Sequence, residues 1–295
     1  MKKVATIIVT YNGEKWIERC LDSVMSSSYP TDVFVVDNSS TDNTLSLLKS
    51  YNVFDLEVSE TNLGFGAANN IALDKALKLD YDYFFLINQD VYIESNMIEK
   101  LIAFSDSHPE SGIIAPIQYD STGQKIDTNF IQYISLSIEK ESYYDTSFVN
   151  AAAWLVTKKC LKTTGFFNSL MFPHYGEDRD FCNRVKFHNF SILITKGINV
   201  IHDRNQKMSL EKSIKLSKIK LLTIFLDPNY TKYQSNKIAL INVLGMAKFF
   251  LKKYRSLFAI IYFAREYVRL FKQRNLLELE KKNQKNFNLR SNKTW

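Results

Sequence analysis

The chain has 295 residues, enough for one large α/β domain with an appendage and for a sizeable buried core. With 45% hydrophobic and 14% aromatic residues, but only nine glycines and five prolines, it is neither a disordered nor a low-complexity protein. The net charge of +7 is unevenly distributed along the chain. Residues 1–204 carry 18 basic and 26 acidic side chains (net −8), whereas residues 205–295 carry 20 basic and 5 acidic side chains (net +15).

The first segment, MKKVATIIVTYNGE, has a basic start, but its apolar stretch is too short for a secretory signal and lacks a small-residue cleavage site. We therefore expect a first strand there. The three cysteines, Cys20, Cys160 and Cys182, lie in no CxxC or Cys/His ligand spacing. This spacing predicts free buried thiols in a reducing compartment, and we expect a cytoplasmic protein.

Residues 1–204 alternate short β-branched or aromatic runs with amphipathic runs, which is typical of an α/β fold with a mostly parallel sheet. The predicted strands cover residues 4–10, 33–37, 56–59, 83–87 and 113–119. The predicted helices between them cover residues 15–25, 41–50, 66–79 and 94–105, with Ser40 or Thr41 as N-cap of the second. A further strand over 147–156, a short helix over 158–164 and a strand over 199–201 follow. Residues 205–295 predict helix after helix.

Polar residues follow four of these strands at the point where each strand ends. Ligands of such sheets bind outside the carboxyl ends of the strands, so these residues predict one ligand-binding rim. They are Thr10, Tyr11 and Asn12 after the first strand, Asp37 after the second, the loop 62–70 after the third, and residues 88–90 after the fourth.

Five stretches, TIIVTYNGEKWIERCLDSV, VFVVDNSSTDNT, NLGFGAANN, FFLINQD and GEDRDFCNRV, resemble in order the inverting family-2 glycosyltransferases of the GT-A fold. The resemblance is to bacterial members of rhamnosyltransferase-like type that build surface polysaccharides, and it covers residues 3–204. It implies a GT-A domain over 1–204, with a nucleotide-binding part over about 1–119 and an acceptor part over about 120–204. The basic, aromatic and helical extension 205–295 lies outside it. The resemblance also implies a nucleotide-diphosphate sugar donor, a divalent cation (Mn²⁺ or Mg²⁺) and direct displacement with inversion.

Asp37 ends a buried strand, where a carboxylate accepts the imide N–H of uracil or thymine, a proton that cytosine lacks. We therefore expect a UDP- or dTDP-sugar donor. A plain turn is the alternative, because Asp-Asn-Ser-Ser is good turn chemistry before a helix. Thr10, Tyr11 and Asn12 resemble the first nucleotide-contacting loop of the family, although a simple strand-to-helix turn has a similar sequence.

Gly64 and Gly66 permit positive φ or close backbone approach, and they precede a helix whose free N–H groups suit a diphosphate. The Rossmann fingerprint is absent, because GxGxxG does not follow the first strand. Asn69 lies one turn into that helix and is a candidate donor contact, with a solvated helix face as the alternative.

Asn88-Gln89-Asp90 stands where the family carries its metal-binding Asp-x-Asp motif. The resemblance makes Asp90 the principal protein ligand and places Asn88 against sugar, phosphate or metal-bound water. Mg²⁺ tolerates one carboxylate, since it commonly keeps several waters and substrate phosphates as ligands. His202 is a second candidate ligand, and a structural histidine is the alternative.

The stretch 176–181 resembles the part of the family that supplies the catalytic base. Asp178 shares a predicted helix face with the apolar positions 181, 182 and 185, which points it at the protein or at a cleft. Acids in a first helical turn are also favoured by the helix dipole without any function. We assign Asp178 as the base, Glu177 as its closest rival and Asp180 as an orienting or acceptor-contacting group.

Between the fifth strand and this motif, Trp154, Phe172, His174 and Tyr175 are candidates for stacking on sugar rings, with buried core as the alternative for at least half of them. The expected acceptor is a glycan or lipid-linked glycan.

The tail predicts cationic amphipathic helices that are too short and too charged to span a membrane. They suit the surface of an anionic membrane, here the inner face of the plasma membrane, and packing on the catalytic domain or in a homodimer is the alternative. We expect no nucleic acid, because basic helices alone leave the acidic rim unexplained. A sugar-nucleotide or polysaccharide-binding protein without activity would keep Asp37 and Asp90 but have no use for Asp178.

Overall fold

A computed structural model of the chain describes residues 1–204 and 209–285. The first of these ranges holds a ten-stranded sheet with flanking helices, and the second holds only helices. The strands are β1 (Val4–Thr10), β2 (Asp32–Asp37), β3 (Asp55–Val58), β4 (Tyr83–Asn88), β5 (Val91–Ile93), β6 (Ser111–Tyr119), β7 (Ile138–Glu139), β8 (Tyr143–Thr146), β9 (Ala153–Thr157) and β10 (Ser191–His202).

The helices of the first range flank the sheet and connect its strands. They are α1 (Ile17–Met25), α2 (Thr44–Leu48), α3 (Phe65–Lys78), α4 (Met97–Ser107), α5 (Thr128–Ser135), α6 (Lys158–Thr164) and α7 (Glu177–Phe187). The second range contains α8 (Leu210–Leu226), α9 (Lys232–Tyr254), α10 (Leu257–Lys272) and α11 (Arg274–Lys285). The predicted α/β class and the helical C-terminal extension are both confirmed.

The strand order is β3-β2-β1-β4-β9-β6-β10-β8-β7, with β5 paired to β10. The neighbours β3, β2, β1 and β4 are parallel, as are β6 and β10. The sheet as a whole is mixed, because β9 runs antiparallel between β4 and β6, and β5 and β8 run antiparallel to β10. The carboxyl ends of β1, β2 and β4 consequently lie side by side.

Three local predictions differ from the structure. The predicted strand over 147–156 is only β9, because the chain forms β8 before it and turns through residues 147–152. The predicted strand over 199–201 is the end of the longer β10. Helix α2 begins at Thr44 with Asn43 as N-cap, so Ser40 and Thr41 are not its caps; both side chains are engaged with the rim instead.

Buried side chains form one apolar layer on each face of the sheet, because successive residues of a strand point to opposite faces. In β4, for example, Phe84 and Leu86 join one layer, whereas Phe85 and Ile87 join the other. A third apolar cluster holds the C-terminal helices together and includes Phe172 from the first range. Cys20, Cys160 and Cys182 are buried and free, as predicted.

Candidate active site

The ends of three parallel strands build the predicted rim. Thr10 at the end of β1 is the register partner of Asp37 in β2, and Val9 is the partner of Asn88 in β4. The side chains that the sequence predicts to converge are therefore neighbours in the sheet.

The carboxylate of Asp37 is buried and held by three hydrogen bonds. Its Oδ1 accepts from Thr10 Oγ1 at 2.9 Å and from Ser40 Oγ at 2.6 Å, and its Oδ2 accepts from the Ser40 N–H at 3.0 Å. A carboxylate has about four acceptor sites. One acceptor direction therefore stays available for a ligand on an otherwise fixed group.

The loop after β1 is fixed by Gln89, the middle residue of Asn88-Gln89-Asp90, which the sequence analysis did not single out. Gln89 Oε1 accepts from the Tyr11 N–H at 2.9 Å, and its Nε2 donates to the Tyr11 carbonyl at 3.1 Å. A Cβ on Gly13 would lie 2.3 Å from Gln89 Oε1. Asn12 Oδ1 accepts from the Thr41 N–H at 2.8 Å, so the first two loops of the rim are joined. The ring of Tyr11 remains exposed beside them.

The loop before α3 requires glycine because of a positive φ at position 64 and because other segments approach its backbone closely. Gly64 is the N-cap of α3 with φ +84°, and a Cβ there would lie 1.9 Å from the Pro173 carbonyl oxygen. At Gly66, a Cβ would lie 3.3 Å from Glu177 Cγ, so this glycine lets α7 approach the first turn of α3. Backbone N–H groups in that turn have no partner within the helix. The base motif therefore lies beside a ready anion site.

Asn69 is buried inside α3, and its Nδ2 donates to the Phe65 carbonyl at 2.9 Å. The neighbouring Asn70 links α3 to the loop before α7, because its amide makes two 2.9 Å hydrogen bonds with the backbone of Phe167. The structure thus gives both asparagines internal partners. The role of Asn69 toward the donor stays a prediction.

Asp90 and His202, the two predicted metal ligands, face each other across β5 and β10, with Asp90 Oδ1 and His202 Nε2 3.5 Å apart. His202 Nδ1 lies 3.0 Å from Gln118 Oε1, and Gln118 Nε2 donates to Asn150 Oδ1 at 2.9 Å. The Gln118 oxygen is an acceptor, so His202 Nδ1 donates to it, and Nε2 is the ring nitrogen that faces Asp90. A second hydrogen bond of this kind commonly orients a metal-binding histidine.

This pair fits a divalent cation that takes its remaining ligands from substrate and water. Two ligand atoms at about 2.1 Å from one ion, at octahedral or tetrahedral angles, are about 3.0–3.4 Å apart, close to the observed separation. Within residues 1–204 and 209–285, no group of three His, Cys, Asp or Glu side chains is arranged to hold a metal. Asn88 Oδ1 is buried in the same loop without a hydrogen-bond partner in this part of the chain, which suits a group completed by a ligand.

The three acids at the start of α7 have different surroundings. Glu177 is buried, and its Oε2 has no hydrogen-bond partner among the described residues. Asp178 is partly exposed, and its Oδ1 accepts from the Arg179 N–H at 2.7 Å. Asp180 is buried in an ion pair with Arg184, at 2.9 Å from Oδ2 to Nε, and its orienting role stays a prediction.

Burial, together with the charge of Asp178, raises the pKa of Glu177 to about 8. Burial also raises the pKa of Asp178, while the Arg179 N–H and the Arg179 charge oppose that rise. At neutral pH Glu177 is therefore mostly protonated. Asp178, unlike the Glu177 Oε2, has an N–H donor for its carboxylate, which favours the ionised form.

A cavity of about 740 Å³ extends from these acids to the C-terminal helices. Glu177, Asp178 and Tyr175 line it, whereas Asp180 does not. Trp154 and Phe172 are buried core residues, and His174 lies exposed next to Gly64, so of the four predicted stacking aromatics only Tyr175 lines this cavity. Helices α8 and α9 supply the other walls of the cavity. Their sequences contain no motif that predicts a role in this cavity.

Comparison with known proteins gives one family. The profile of Glycosyl transferase family 2 matches residues 5–166. The poly(ribitol-phosphate) beta-N-acetylglucosaminyltransferase TarS of Staphylococcus aureus is 36% identical over 115 residues, which are 37% of this chain and 20% of that protein. A poly(ribitol-phosphate) beta-glucosyltransferase of Bacillus spizizenii is 33% identical over 111 residues, or 35% of this chain and 17% of that protein. The matched region is thus a fifth or less of the length of these curated relatives.

Among solved structures, the crystal structure of S. aureus TarS 1–349 has a TM-score of 0.64 and 21% identity, covering 96% of this chain and 88% of that one. The same protein in complex with UDP-GlcNAc is equally similar. A structure of GalNAc-T7 with UDP, GalNAc and Mn²⁺ has a TM-score of 0.57 and 14% identity, covering 74% of this chain and 47% of that one. These similarities confirm the fold.

Proposed function

The chain belongs to Glycosyl transferase family 2, and we propose that it transfers a sugar from a UDP- or dTDP-sugar to a hydroxyl group of a cell-surface glycan or lipid-linked glycan, with inversion. The observation that carries this proposal is the approach of the base motif of α7 to the glycine loop, with 3.3 Å between a Gly66 Cβ position and Glu177 Cγ. A donor held by the rim would then present its anomeric carbon near Asp178. Two relatives are named for transfer to poly(ribitol-phosphate), which supports a surface polymer as acceptor.

In the proposed donor complex, Asp37 accepts the imide N–H of the base, and the first turn of α3 meets the diphosphate. Asp90 and His202 hold the divalent cation, with Asn88 beside it. When bound, the cation neutralises the diphosphate and stabilises the charge that gathers on the leaving group. Gln118 fixes the ring orientation of His202 at 3.0 Å.

The reaction proposed is a single displacement. Asp178 removes the proton of the acceptor hydroxyl while that oxygen attacks the anomeric carbon. The bond between this carbon and the diphosphate breaks as the new glycosidic bond forms, and the nucleoside diphosphate leaves from the opposite face of the sugar. One displacement without a covalent intermediate inverts the configuration. Asp180 orients Arg184, whose guanidinium donates to the carbonyls of Thr164 and Phe166 and so ties α7 to the end of α6.

Base recognition provides the first test. The hydrogen bond to Asp37 predicts that UDP or dTDP binds about 10–100-fold more tightly than CDP, since a hydrogen bond to a charged group contributes roughly 1.5–3 kcal/mol. Calorimetry with the three diphosphates in the presence of Mg²⁺ or Mn²⁺ measures this ratio. Ser40→Ala, which removes a hydrogen-bond donor to Asp37 at a residue outside the predicted nucleotide contacts, should keep the preference. Equal affinities for UDP and CDP would remove Asp37 from the base-binding site.

An activity screen with the same protein distinguishes an enzyme from a binding protein without activity. Incubation with UDP- and dTDP-sugars should release the nucleoside diphosphate, slowly by hydrolysis and faster with a suitable acceptor. Tight UDP binding without any release in a broad screen of sugars and acceptors would favour a sugar-nucleotide-binding protein without activity.

We further propose that the C-terminal helices dock the enzyme on the anionic inner face of the plasma membrane. Residues 228–265 contain seven Lys and Arg but no Asp or Glu. Where α9 turns into α10, exposed apolar side chains alternate with exposed cations; these residues, Leu244, Lys248, Phe249, Leu251, Lys252, Lys253, Arg255, Leu257, Phe258, Ile261 and Arg265, form what we call the hairpin surface. No helix in the described ranges is long and apolar enough to cross a bilayer. Each cation near an anionic surface contributes about 1 kcal/mol.

Vesicle flotation tests this surface. The protein should float with phosphatidylglycerol vesicles but not with phosphatidylcholine vesicles, and salt should release it because exposed charges are screened within about 10 Å at 0.1 M. Changing Lys252, Lys253 and Arg255 together to Gln should abolish flotation. The matched control changes three exposed lysines of the range 1–204, Lys49, Lys125 and Lys162, to Gln and should float normally. A protein that ignores these vesicles and instead dimerises through the same surface in light scattering would contradict membrane docking.

A further inference from the structure

The cavity that Asp178 lines also contains three cationic side chains. Its lining includes Arg179 from α7, Lys220 from α8 and Lys186 from α7. Lys186 has an acidic partner, because its Nζ lies 3.4 Å from Asp145 Oδ1. Arg179 and Lys220 have no acidic group within 4.0 Å in the described part of the chain.

Arg179 lies over an aromatic ring, and its side chain donates no hydrogen bond within the described residues. Its guanidinium carbon is 3.4 Å from the centre of the Phe148 ring. A guanidinium has five N–H donors in a planar fork that suits two oxygens of one oxyanion. Phe148 therefore holds the Arg179 guanidinium in the lining of the cavity, where its donors are available to a ligand.

Lys220 brings a second positive charge to the same place. Partial desolvation lowers the pKa of the Lys220 ammonium, and the charge of Arg179 lowers it further. Burial likewise lowers the pKa of Arg179. Lys220 is exposed and Arg179 is partly exposed, so both positive charges are open to an anionic ligand that enters the cavity.

The acids of the cavity act on Arg179 only from beyond ion-pair distance: the charges of Asp178 and Asp227 oppose the fall in its pKa, but neither carboxylate pairs with it within 4.0 Å in the described ranges. Asp227 Oδ1 accepts from the N–H and the Nδ2 of Asn229, at 2.9 and 2.8 Å, so this carboxylate is engaged on α8's own end. Glu177, with a pKa of about 8, is mostly uncharged at neutral pH. Asp178 Oδ1 accepts a hydrogen bond from the Arg179 backbone N–H at 2.7 Å, and in the proposed reaction this carboxylate takes the proton of the acceptor hydroxyl.

We propose that this cavity binds a phosphate group of the acceptor, with Arg179 and Lys220 as its two cationic contacts. A planar carboxylate would be satisfied by the arginine fork alone, whereas a tetrahedral phosphate presents oxygens in several directions and can meet α7 and α8 at once. Neutral donors from three further residues of the lining, Asn183, Tyr230 and Asn242, surround the same space. The inference that the bound phosphate belongs to the acceptor rests on the proposed function; the anion site itself does not.

Direct binding tests the site without any activity. Inorganic phosphate and the diester glycerophosphoglycerol are titrated by calorimetry into protein saturated with UDP and Mg²⁺, which fills the donor site. Arg179→Gln and Lys220→Gln should each weaken binding about tenfold or more. Lys218→Gln removes the same charge from α8 outside the lining of the cavity and should bind as the wild type does. Failure of the wild type to bind either ligand, or equal binding by all four proteins, would overturn the site.

Kinetics then tests the source of the phosphate. With an acceptor polyol phosphate and its dephosphorylated form as a pair, both variants should raise KM for the phosphorylated acceptor about tenfold and leave KM for the donor unchanged. Phosphate binding that depends on Arg179 and Lys220 in a protein without transferase activity would retain the site and refute the proposed function. Normal acceptor KM combined with lost flotation on phosphatidylglycerol vesicles in Lys220→Gln would assign the phosphate to a lipid headgroup and overturn our proposal.

Discussion

The Asp178→Asn variant should turn over about 10²–10⁴-fold more slowly than the wild-type protein, with little change in donor affinity. Asparagine keeps the size of the side chain and an oxygen that can still accept from the Arg179 N–H, which lies 2.7 Å from Asp178 Oδ1. It cannot take the proton of the acceptor hydroxyl. The measurement is kcat for transfer, with the Kd of UDP as the check on donor binding.

The choice of Asp178 over Glu177 follows from their surroundings. A general base must be ionised at the working pH, and Glu177, with a pKa of about 8, is mostly protonated at pH 7. Asp178 also lines the acceptor cavity and is partly exposed to it. Glu177→Gln, which imitates the protonated form, should therefore cost much less turnover than Asp178→Asn.

The pH dependence of stability offers a control on this assignment. Folding raises the pKa of Glu177 from 4.5 to about 8, so the folded state binds more protons than the unfolded state between these values. The free energy of unfolding must then fall as the pH rises through this window, and Glu177→Gln should reduce that fall. Near-normal turnover in Asp178→Asn would move the base to Glu177 or Asp180, and a glycosidic linkage with retained configuration by NMR would refute single displacement.

Local patterns were sufficient to predict much of the rim. The apolar run before Asn88 is typical of a buried strand. The polar residues after β1, β2 and β4 meet because neighbouring parallel strands end at one edge. Periodicity failed over 147–156, where a run of small residues has no alternation to distinguish a turn from a strand. The N-cap prediction for α2 failed as well. Ser40 and Thr41 are residue types that often cap helices, but their hydroxyl groups donate to Asp37 and Asn12 in the rim.

Contacts between segments that are distant along the chain could not be predicted from local sequence patterns. Gln118 is the single amide in an otherwise apolar strand, which is a signal, but its partners His202 and Asn150 are known only once β9, β6 and β10 are neighbours. The anion site likewise needs α8 to lie against α7. A cationic helix is usually a solvated helix, and nothing in its own sequence says which lysine faces a cavity.

The Asp90→Ala variant should lose cation-dependent transfer, by at least about 10³-fold, while keeping its fold. Asp90 is partly exposed and forms no ion pair with Lys or Arg within 4.0 Å in the described ranges, so its removal leaves no buried charge behind. Of the described residues, only His202 would then face the cation from the protein, and one neutral imidazole binds Mg²⁺ or Mn²⁺ weakly. The loss should appear already in the binding of UDP, which we expect to become independent of the cation.

Calorimetry of UDP with Mn²⁺, with Mg²⁺ and with chelator measures this directly, and transfer assays under the same conditions give the rate. Gln118→Met should have an intermediate effect, with about 10–100-fold weaker cation affinity, because His202 loses the acceptor that holds its Nδ1 proton and ring orientation. Asp120→Ala removes a carboxylate just beyond β6 that bonds only within its own turn, and it should behave as the wild type does. Full activity of Asp90→Ala, or of the wild-type protein in excess chelator, would show that the diphosphate leaves without a cation, and the charge on the leaving group would then have to be met by the N–H groups of α3 alone.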